Sequence, residues 1–341
     1  MEFLTDLFAH DFLGQSAGLW AVFVTVVTVL LVFDLGVLNR KDHEIGVRES
    51  LQLTGLYIAI ALLFGVWVWW QLGGDDGMDY FTAYLVEQSL SMDNLFVMSL
   101  IFAYYGIPRQ YQHRVLFWGI IGVIVMRGLM IGVGAVLIHK FSWLLLIFAA
   151  FLIFTGLKMA LSSDEDDSKI EDSGFIKFLQ KHLHVTPFLR GHNFFIREKG
   201  IDNTRGALRA TPLFLALITI EVADLIFAVD SVPAVLAITT NTFVVYTSNI
   251  FAVVGLRAMY FAIAAIIHRF IYMKYALSII LVFIGLKAFY AHFFDKIPAF
   301  VSLGITLSTL AGGFIFSMIK TRSEAKAVAK MVMDQKKKDG A

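Results

Sequence analysis

The sequence predicts an all-α polytopic membrane protein of about nine transmembrane helices with two inverted three-helix repeats, the N-terminus outside and the C-terminus in the cytoplasm. Three observations carry this expectation. Of the 341 residues 58% are hydrophobic, mean hydropathy is +0.74, and the apolar residues gather into long uncharged runs. Each run has about the twenty residues needed to cross roughly 30 Å of hydrocarbon. Lys and Arg collect in alternate connecting segments, and acidic residues recur at matched spacing inside two of the runs.

In chain order the runs place spans near 18–38, 52–71, 80–104, 114–138, 142–161, 211–238, 245–267, 273–292 and 297–319. Residues 1–79 hold two N-terminal spans, 80–161 a first three-helix unit, 162–210 a cytoplasmic loop, 211–292 a second unit, 293–319 the last span and 320–341 a Lys-rich cytoplasmic tail. Basic residues set the orientation. Arg40, Lys41 and Arg48, then Arg109, the basic 162–210 segment, Arg269 and the tail's Lys336, Lys337 and Lys338 all fall on one side. The opposite loops "GGDDGMD" and "TTNTF" have no Lys or Arg. Near the N-terminus Glu2, Asp6 and Asp11 occur without Lys or Arg, the wrong sign for the n-region of a cleavable signal. A net charge of +1 gives no footprint for nucleic acid, and zero cysteines exclude a thiolate metal site, a disulfide or a cysteine nucleophile.

The two units repeat one another. Glu87 and Asp93 in "EQSLSMDNLF" have the same spacing as Asp224 and Asp230 in "DLIFAVDSVP". Arg127 opens "RGLM" as Arg257 opens "RAMY", and "IFTGLKM", ending at Met159, matches "VFIGLKA", ending at Ala288. Each unit has an odd number of spans, so the second enters the membrane from the side opposite the first. Inverted repeats of this kind are associated with transport through a site near the midplane.

Carboxylates in hydrocarbon cost a few kcal/mol each, about 2.5 to 3.5 at a helix centre, and need a reason. Glu87 shares a helix face with Ser91 and Asn94, and Asp224 with Ser231; Asp93 and Asp230 need a distorted helix to join them. Pro233 offers one by failing to donate to the Val229 carbonyl, whereas the first unit has Phe96 at that position. The charge partners are Arg127 and Arg257, too few for Glu87, Asp93, Glu221, Asp224 and Asp230 if all ionise. The excess near −3 calls for a bound cation or protonated carboxyls. Candidate metal ligands are therefore Glu87, Asp93, Asn94, Glu221, Asp224, Asp230 and Ser231, a hard oxygen set suited to Mn²⁺, Mg²⁺ or Ca²⁺. The rival reading makes the same charges internal salt bridges that hold helices together.

Other features read as ordinary. Lys158 and Lys287 are snorkelling anchors, Asp34 is interfacial, and Met92, Met98 and Met126 are packing residues. "SSDEDD" is a solvated acidic run, and "FIKFLQKHLH" is an amphipathic helix with Lys177 and Lys181 toward lipid headgroups. His182, His184 and His192 lack the frame a metal site needs.

"EQSLSMDNLFV", "EVADLIFAVDSVPA", "SNIFAVVGLRAMYF" and the paired "GLK" resemble the TerC family of integral membrane proteins, including the branch called Alx, and through its duplicated three-helix units the LysE-type exporters. The resemblance runs from the first span to the ninth. It implies a multi-pass protein of the bacterial cytoplasmic (inner) membrane linked to tellurium resistance and to Mn²⁺ export, with the acidic motif residues falling on Glu87, Asp93, Asn94, Glu221, Asp224, Asp230 and Ser231. Tellurite is an anion that such a site repels, so a divalent metal cation, Mn²⁺ foremost, is the expected substrate. No prosthetic group is expected, no nucleotide-binding motif is visible, and the partners are the metal ion and the lipid bilayer, with oligomeric state open. A membrane scaffold or assembly factor is the rival function. An intramembrane hydrolase lacks a serine–lysine or metal–histidine constellation.

Overall fold

Inside a bilayer every backbone N–H and C=O must be satisfied within the protein, so apolar runs of spanning length fold as helices. The computed structural model describes residues 11–12, 14–33, 46–141, 143–161, 185–186, 189, 191–197, 208–263, 272–294 and 297–339. Each predicted span falls on a helix: α1 Ala17–Phe33, α2 Val47–Leu72, α3 Gly74–Tyr104, α4 Arg109–Lys140, α5 Leu144–Leu161, α6 Pro212–Ile238, α7 Thr242–Ile263, α8 Met273–Phe293 and α9 Ala299–Asp339. Among the described residues seven, α2 and α4 to α9, are long and apolar enough to cross a membrane. The other two are α1, described over 17 residues, and α3, which carries Asp75, Asp76, Asp79, Glu87 and Asp93.

Two ends differ from the expectation. "GGDDGMD" is not a loop. Gly73 makes the whole turn between α2 and α3 with a φ of 99°, its N–H donating to the Trp69 carbonyl at 3.0 Å, and α3 begins at once. Asp75 and Asp76 then occupy the first turn of α3, where the helix dipole favours acids. At the other terminus α9 continues through Asp339, past residue 319 where the last span was expected to end, so the described part of the Lys-rich tail is helical. Two short antiparallel ribbons were not foreseen: β1 Asp11–Phe12 with β2 Gln15–Ser16, and β3 Phe195–Arg197 with β4 Leu208–Ala210. The second leads into α6, where the Thr211 hydroxyl donates to the Asn193 carbonyl at 2.7 Å. Asp34, "SSDEDD", Lys177, Lys181, His182 and His184 lie outside the described residues.

Four helices form the centre: α3 packs on α6 and α7, and α4 packs on the same two. Outside them α2 lies along α3 and α7, α9 along α3 and α8, and α5 pairs closely with α8. Lipid tails are as apolar as leucine, so close approach and dispersion rather than the hydrophobic effect hold such helices together. The α5–α8 pair shows how. A Cβ at Gly156 would lie 2.9 Å from the Ser278 carbonyl oxygen, and one at Gly285 would lie 2.7 Å from that of Ala149. The Ser278 hydroxyl donates across the same contact to the Gly156 carbonyl at 2.6 Å.

Apolar cores flank the centre at both ends. Where α2 stops and α3 begins, Phe23, Phe64, Tyr80, Tyr84, Phe243 and Phe251 form an aromatic cluster. Where α3 stops and α4 and α6 begin, Leu95, Phe102, Leu116, Leu213, Leu256 and Tyr260 form a second core. Met98 belongs to that core as a packing residue, as expected.

Candidate cation site

Between those cores the polar residues of four helices converge. On α3, Glu87, Ser91 and Asn94 follow the helical repeat and are all buried; on α6, Asp224 and Ser231 do the same. Arg127 of α4 lies among them with 1% of its side chain exposed. Its Nη1 contacts Glu87 Oε1, and its Nε and Nη2 donate to Asp224 Oδ2 and Oδ1, both at 3.2 Å. This is the forked geometry that makes arginine a strong carboxylate partner. Nη1 also donates to Asn249 Oδ1 of α7 at 2.9 Å and reaches Ser231 Oγ at 3.5 Å, while Asn94 Nδ2 donates to Asp224 Oδ1 at 3.2 Å.

Asn249 was not among the sequence candidates. Its signal was present: an amide in the apolar α7 run is costly unless it has a partner inside the bundle.

The network leaves acceptors over. Glu87 Oε2, Ser91 Oγ and Asn94 Oδ1 are buried with no hydrogen-bond partner among the described residues, and so are both carboxylate oxygens of Glu221. Glu221 stands apart from the arginine fork and fits only because α4 is bare beside it. A Cβ at Gly122 would lie 2.5 Å from each Glu221 oxygen, and one at Gly119 would lie 3.5 Å from Oε1.

Arg257, expected to mirror Arg127, takes a different place. Its guanidinium carbon lies 5.6 Å from the centre of the Phe117 ring, a cation–π distance. Together with Asp224 it walls a small cavity whose remaining lining includes the apolar Met98, Leu116, Ile120 and Ile220. These residues come from late α3, early α4 and early α6, so the cavity lies toward the end of the bundle where those segments meet.

α3 and α6 each run as one helix past Asp93 and Asp230, α6 with Pro233 inside it. The side chains of Asp93 and Asp230, and with them the aim that a helix distortion was expected to give, lie outside the described residues. Among the described residues no group of three or more His, Cys, Asp or Glu is placed to hold a metal ion.

The paired lysines also separate. Lys158 is exposed as an anchor should be, whereas Lys287 is buried and not the snorkelling residue expected. The early start of α3 is the reason, because it brings Asp79 to the electrostatic neighbourhood of Lys287 and within hydrogen-bond reach of the Thr239 hydroxyl. Burial pushes the Asp79 carboxyl up to about 6, against the opposing pull of Lys287 and Thr239. An acid raised in the folded state binds a proton that the unfolded chain has released, so stability falls as pH rises from 3.8 toward about 6. Asp79→Asn is expected to flatten that part of the stability profile; thermal melts of the purified protein across this window check it.

The family model described as "Integral membrane protein TerC family" matches residues 72–325, which hold all four central helices. An "Uncharacterized membrane protein" of Rickettsia bellii is 46% identical over 301 residues, 88% of this chain and 97% of the relative. A "Putative membrane-bound redox modulator Alx" of Escherichia coli O6:H1 is 42% identical over 308 residues, 88% of this chain and 94% of the relative. Its namesake in Photorhabdus laumondii is 42% identical over 312 residues, 89% of this chain and 95% of the relative. No solved structure gives a significant match. With a family model covering most of the chain and relatives aligned almost end to end, the chain belongs to the TerC family of integral membrane proteins.

Proposed function

We propose that the protein is a secondary transporter of the bacterial inner membrane that exports a divalent cation, Mn²⁺ foremost, through the acidic centre between α3, α4, α6 and α7. The observation that carries this reading is the set of oxygen acceptors left over around Arg127: Glu87 Oε2, Ser91 Oγ and Asn94 Oδ1, with the Glu221 carboxylate nearby. A hard cation supplies the positive charge that these oxygens lack. Its release on the far side follows from protonation of the carboxyls, which makes proton exchange the natural driving force.

The nine-span, inverted-repeat arrangement belongs to the same proposal, with the N-terminus outside. The packing supports it by its reciprocity. α3 against α7 is the counterpart of α4 against α6, and α5 meets α8 with the matching Gly156 and Gly285, each against the other helix's backbone. In this orientation the cavity beside Asp224 faces the cytoplasm and the aromatic cluster seals the outer side.

A second reading has its own support. The closed bonds from Arg127 to Glu87 and Asp224 are those of a helix-fastening network, as a scaffold or assembly factor would use. The relatives named redox modulators point to no thiol chemistry here, since this chain has no cysteine.

The deciding experiment is Mn²⁺ efflux from loaded cells carrying the intact protein, Asp93→Asn or Asp230→Asn at equal membrane abundance. The expected result is efflux from the intact protein and none from either variant. Normal efflux from both variants would remove the acids from the reading. If the intact protein exports nothing and deletion of 164–199 abolishes its cellular effect, the scaffold reading holds instead.

A further inference from the structure

α3 begins directly after Gly73, so its second turn stands where α6 stops and α8 nears its end. That turn carries Asp79. The Thr239 hydroxyl, at the C-terminal cap of α6, is within hydrogen-bond reach of the Asp79 carboxyl, and Lys287 of α8 is its cationic neighbour. α8 packs on both α3 and α6, and the junction is tight: Thr82, one turn further along α3, is 0% exposed, and Ile238 and Lys287 are buried.

One end of the bundle alone is built in this way. Aligned on Glu87 and Asp224, Asp79 of α3 matches Ala216 of α6, and through the paired "GLK" Lys287 matches Lys158 of α5. Ala216 is buried and Lys158 is exposed. Where one unit packs an alanine the other packs an acid, so helix packing by itself does not call for the carboxyl.

The charged groups that face Asp79 are Lys287 and, in the first turn of its own helix, Asp76 and Asp75. Among the described residues α2, α7 and α9, which also pack on α3, bring no charge to this end. His292 of α8 is exposed and lies about 140° round that helix from Lys287. Lys287 and Thr239 favour the ionised carboxyl, whereas burial and the two acids oppose it, burial most of all. The closed junction therefore holds a proton that a hydrated Asp79 releases to water. Closure is complete at acid pH and weakens as pH rises from 3.8 toward about 6.

We propose that these ends of α3, α6 and α8 form a proton-controlled seam, closed while the Asp79 carboxyl is neutral and loosened when it ionises and turns to water. The seam does not depend on the transport reading, but its meaning as a gate rests on that reading. α3 and α6 carry Glu87 and Asp224, so parting their outer ends opens the outer approach to both acids, and external acid shuts it.

The chain has no cysteine, so a single introduced thiol reports the seam. Thr82→Cys, inside the seam, and Gln71→Cys, at the exposed end of α2, are labelled separately with a membrane-impermeant thiosulfonate in sealed right-side-out vesicles between pH 4 and 7. The ratio of the two rates removes the ordinary pH dependence of a thiol. That ratio is expected to rise by about tenfold across the window. With Asp79→Asn, which is neutral at every pH, it is expected to stay low throughout. Lys287→Met and Thr239→Val each remove a group that favours ionisation, so each moves the step to higher pH; a merely structural role would loosen the seam and leave the step in place. Thr239→Val carries this arm alone if Lys287→Met fails to reach the membrane. A flat ratio in the otherwise native protein, a step that survives Asp79→Asn, or a step that Thr239→Val does not move overturns the proposal. A step in a protein that exports no Mn²⁺ keeps the seam and removes the gate; Mn²⁺ efflux with a flat ratio removes the seam and leaves transport standing.

Discussion

Asp224→Ala is expected to destabilise the folded protein by about 3–5 kcal/mol, the range found when one partner of a buried ion pair is deleted. Asp224 accepts from Arg127 Nε and Nη2 and from Asn94 Nδ2, so one truncation strips two helices of their shared partner. Among the described residues Arg127 keeps Glu87 alone as an ionic partner, and it is 1% exposed in the intact protein. Unfolding in mixed micelles at increasing denaturant measures the loss. Asp224→Asn, which can still accept hydrogen bonds, is expected to lose less. The double variant Asp224→Ala with Arg127→Met is expected to be more stable than the sum of the two single losses, because it leaves no orphaned guanidinium. A loss under about 1 kcal/mol, the scale of a solvated surface pair, would mean that the cluster is hydrated and open.

Gly285→Leu is expected to prevent α5 and α8 from pairing. Even the Cβ of alanine would lie 2.7 Å from the Ala149 carbonyl oxygen, and that oxygen belongs to helix backbone, which cannot rotate away. Gly285→Ala should therefore cost about 1–3 kcal/mol by overpacking, and leucine more, enough to remove folded protein from the membrane fraction. Gly156→Ala, 2.9 Å from the Ser278 carbonyl, is expected to behave likewise. Gly132→Ala is the control. Nothing lies within 4 Å of its added methyl group, and the substitution is expected to be neutral or to stabilise α4 by up to about 1 kcal/mol. Equal effects at Gly285 and Gly132 would show that propensity rather than close packing governs these helices.

The helices were legible because hydrocarbon allows a long apolar run few alternatives, and residues 211–238 fold as α6 almost to the residue. The face shared by Glu87, Ser91 and Asn94 was legible from helical periodicity alone, as was the need of Arg127 for acid partners. What periodicity could not give was the difference between matching positions. "RGLM" and "RAMY" carry the same arginine, and among the described neighbours across the bundle Asn249 meets the first while the Phe117 ring meets the second. Lys158 and Lys287 fail to match for the same reason, since Asp79 reaches only the second. Acids in the first turn of α3 were mistaken for a loop because a solvated run and a helix N-terminus use the same residues.

At the closed end Trp20 is packed edge-on to Phe243 with ring centres 5.1 Å apart, and also meets Tyr246 at 5.6 Å and Phe23 at 6.3 Å. An indole enclosed by other rings emits at shorter wavelength than one touched by water. Trp70, 80% exposed on α2, lies outside that enclosure, and because the chain has six tryptophans the Trp20 share is the difference between the intact protein and Trp20→Phe. The Trp20 share of the emission thus reports, without any attached dye, whether α1 remains seated on α7, and the chain carries an optical gauge of its own aromatic cluster.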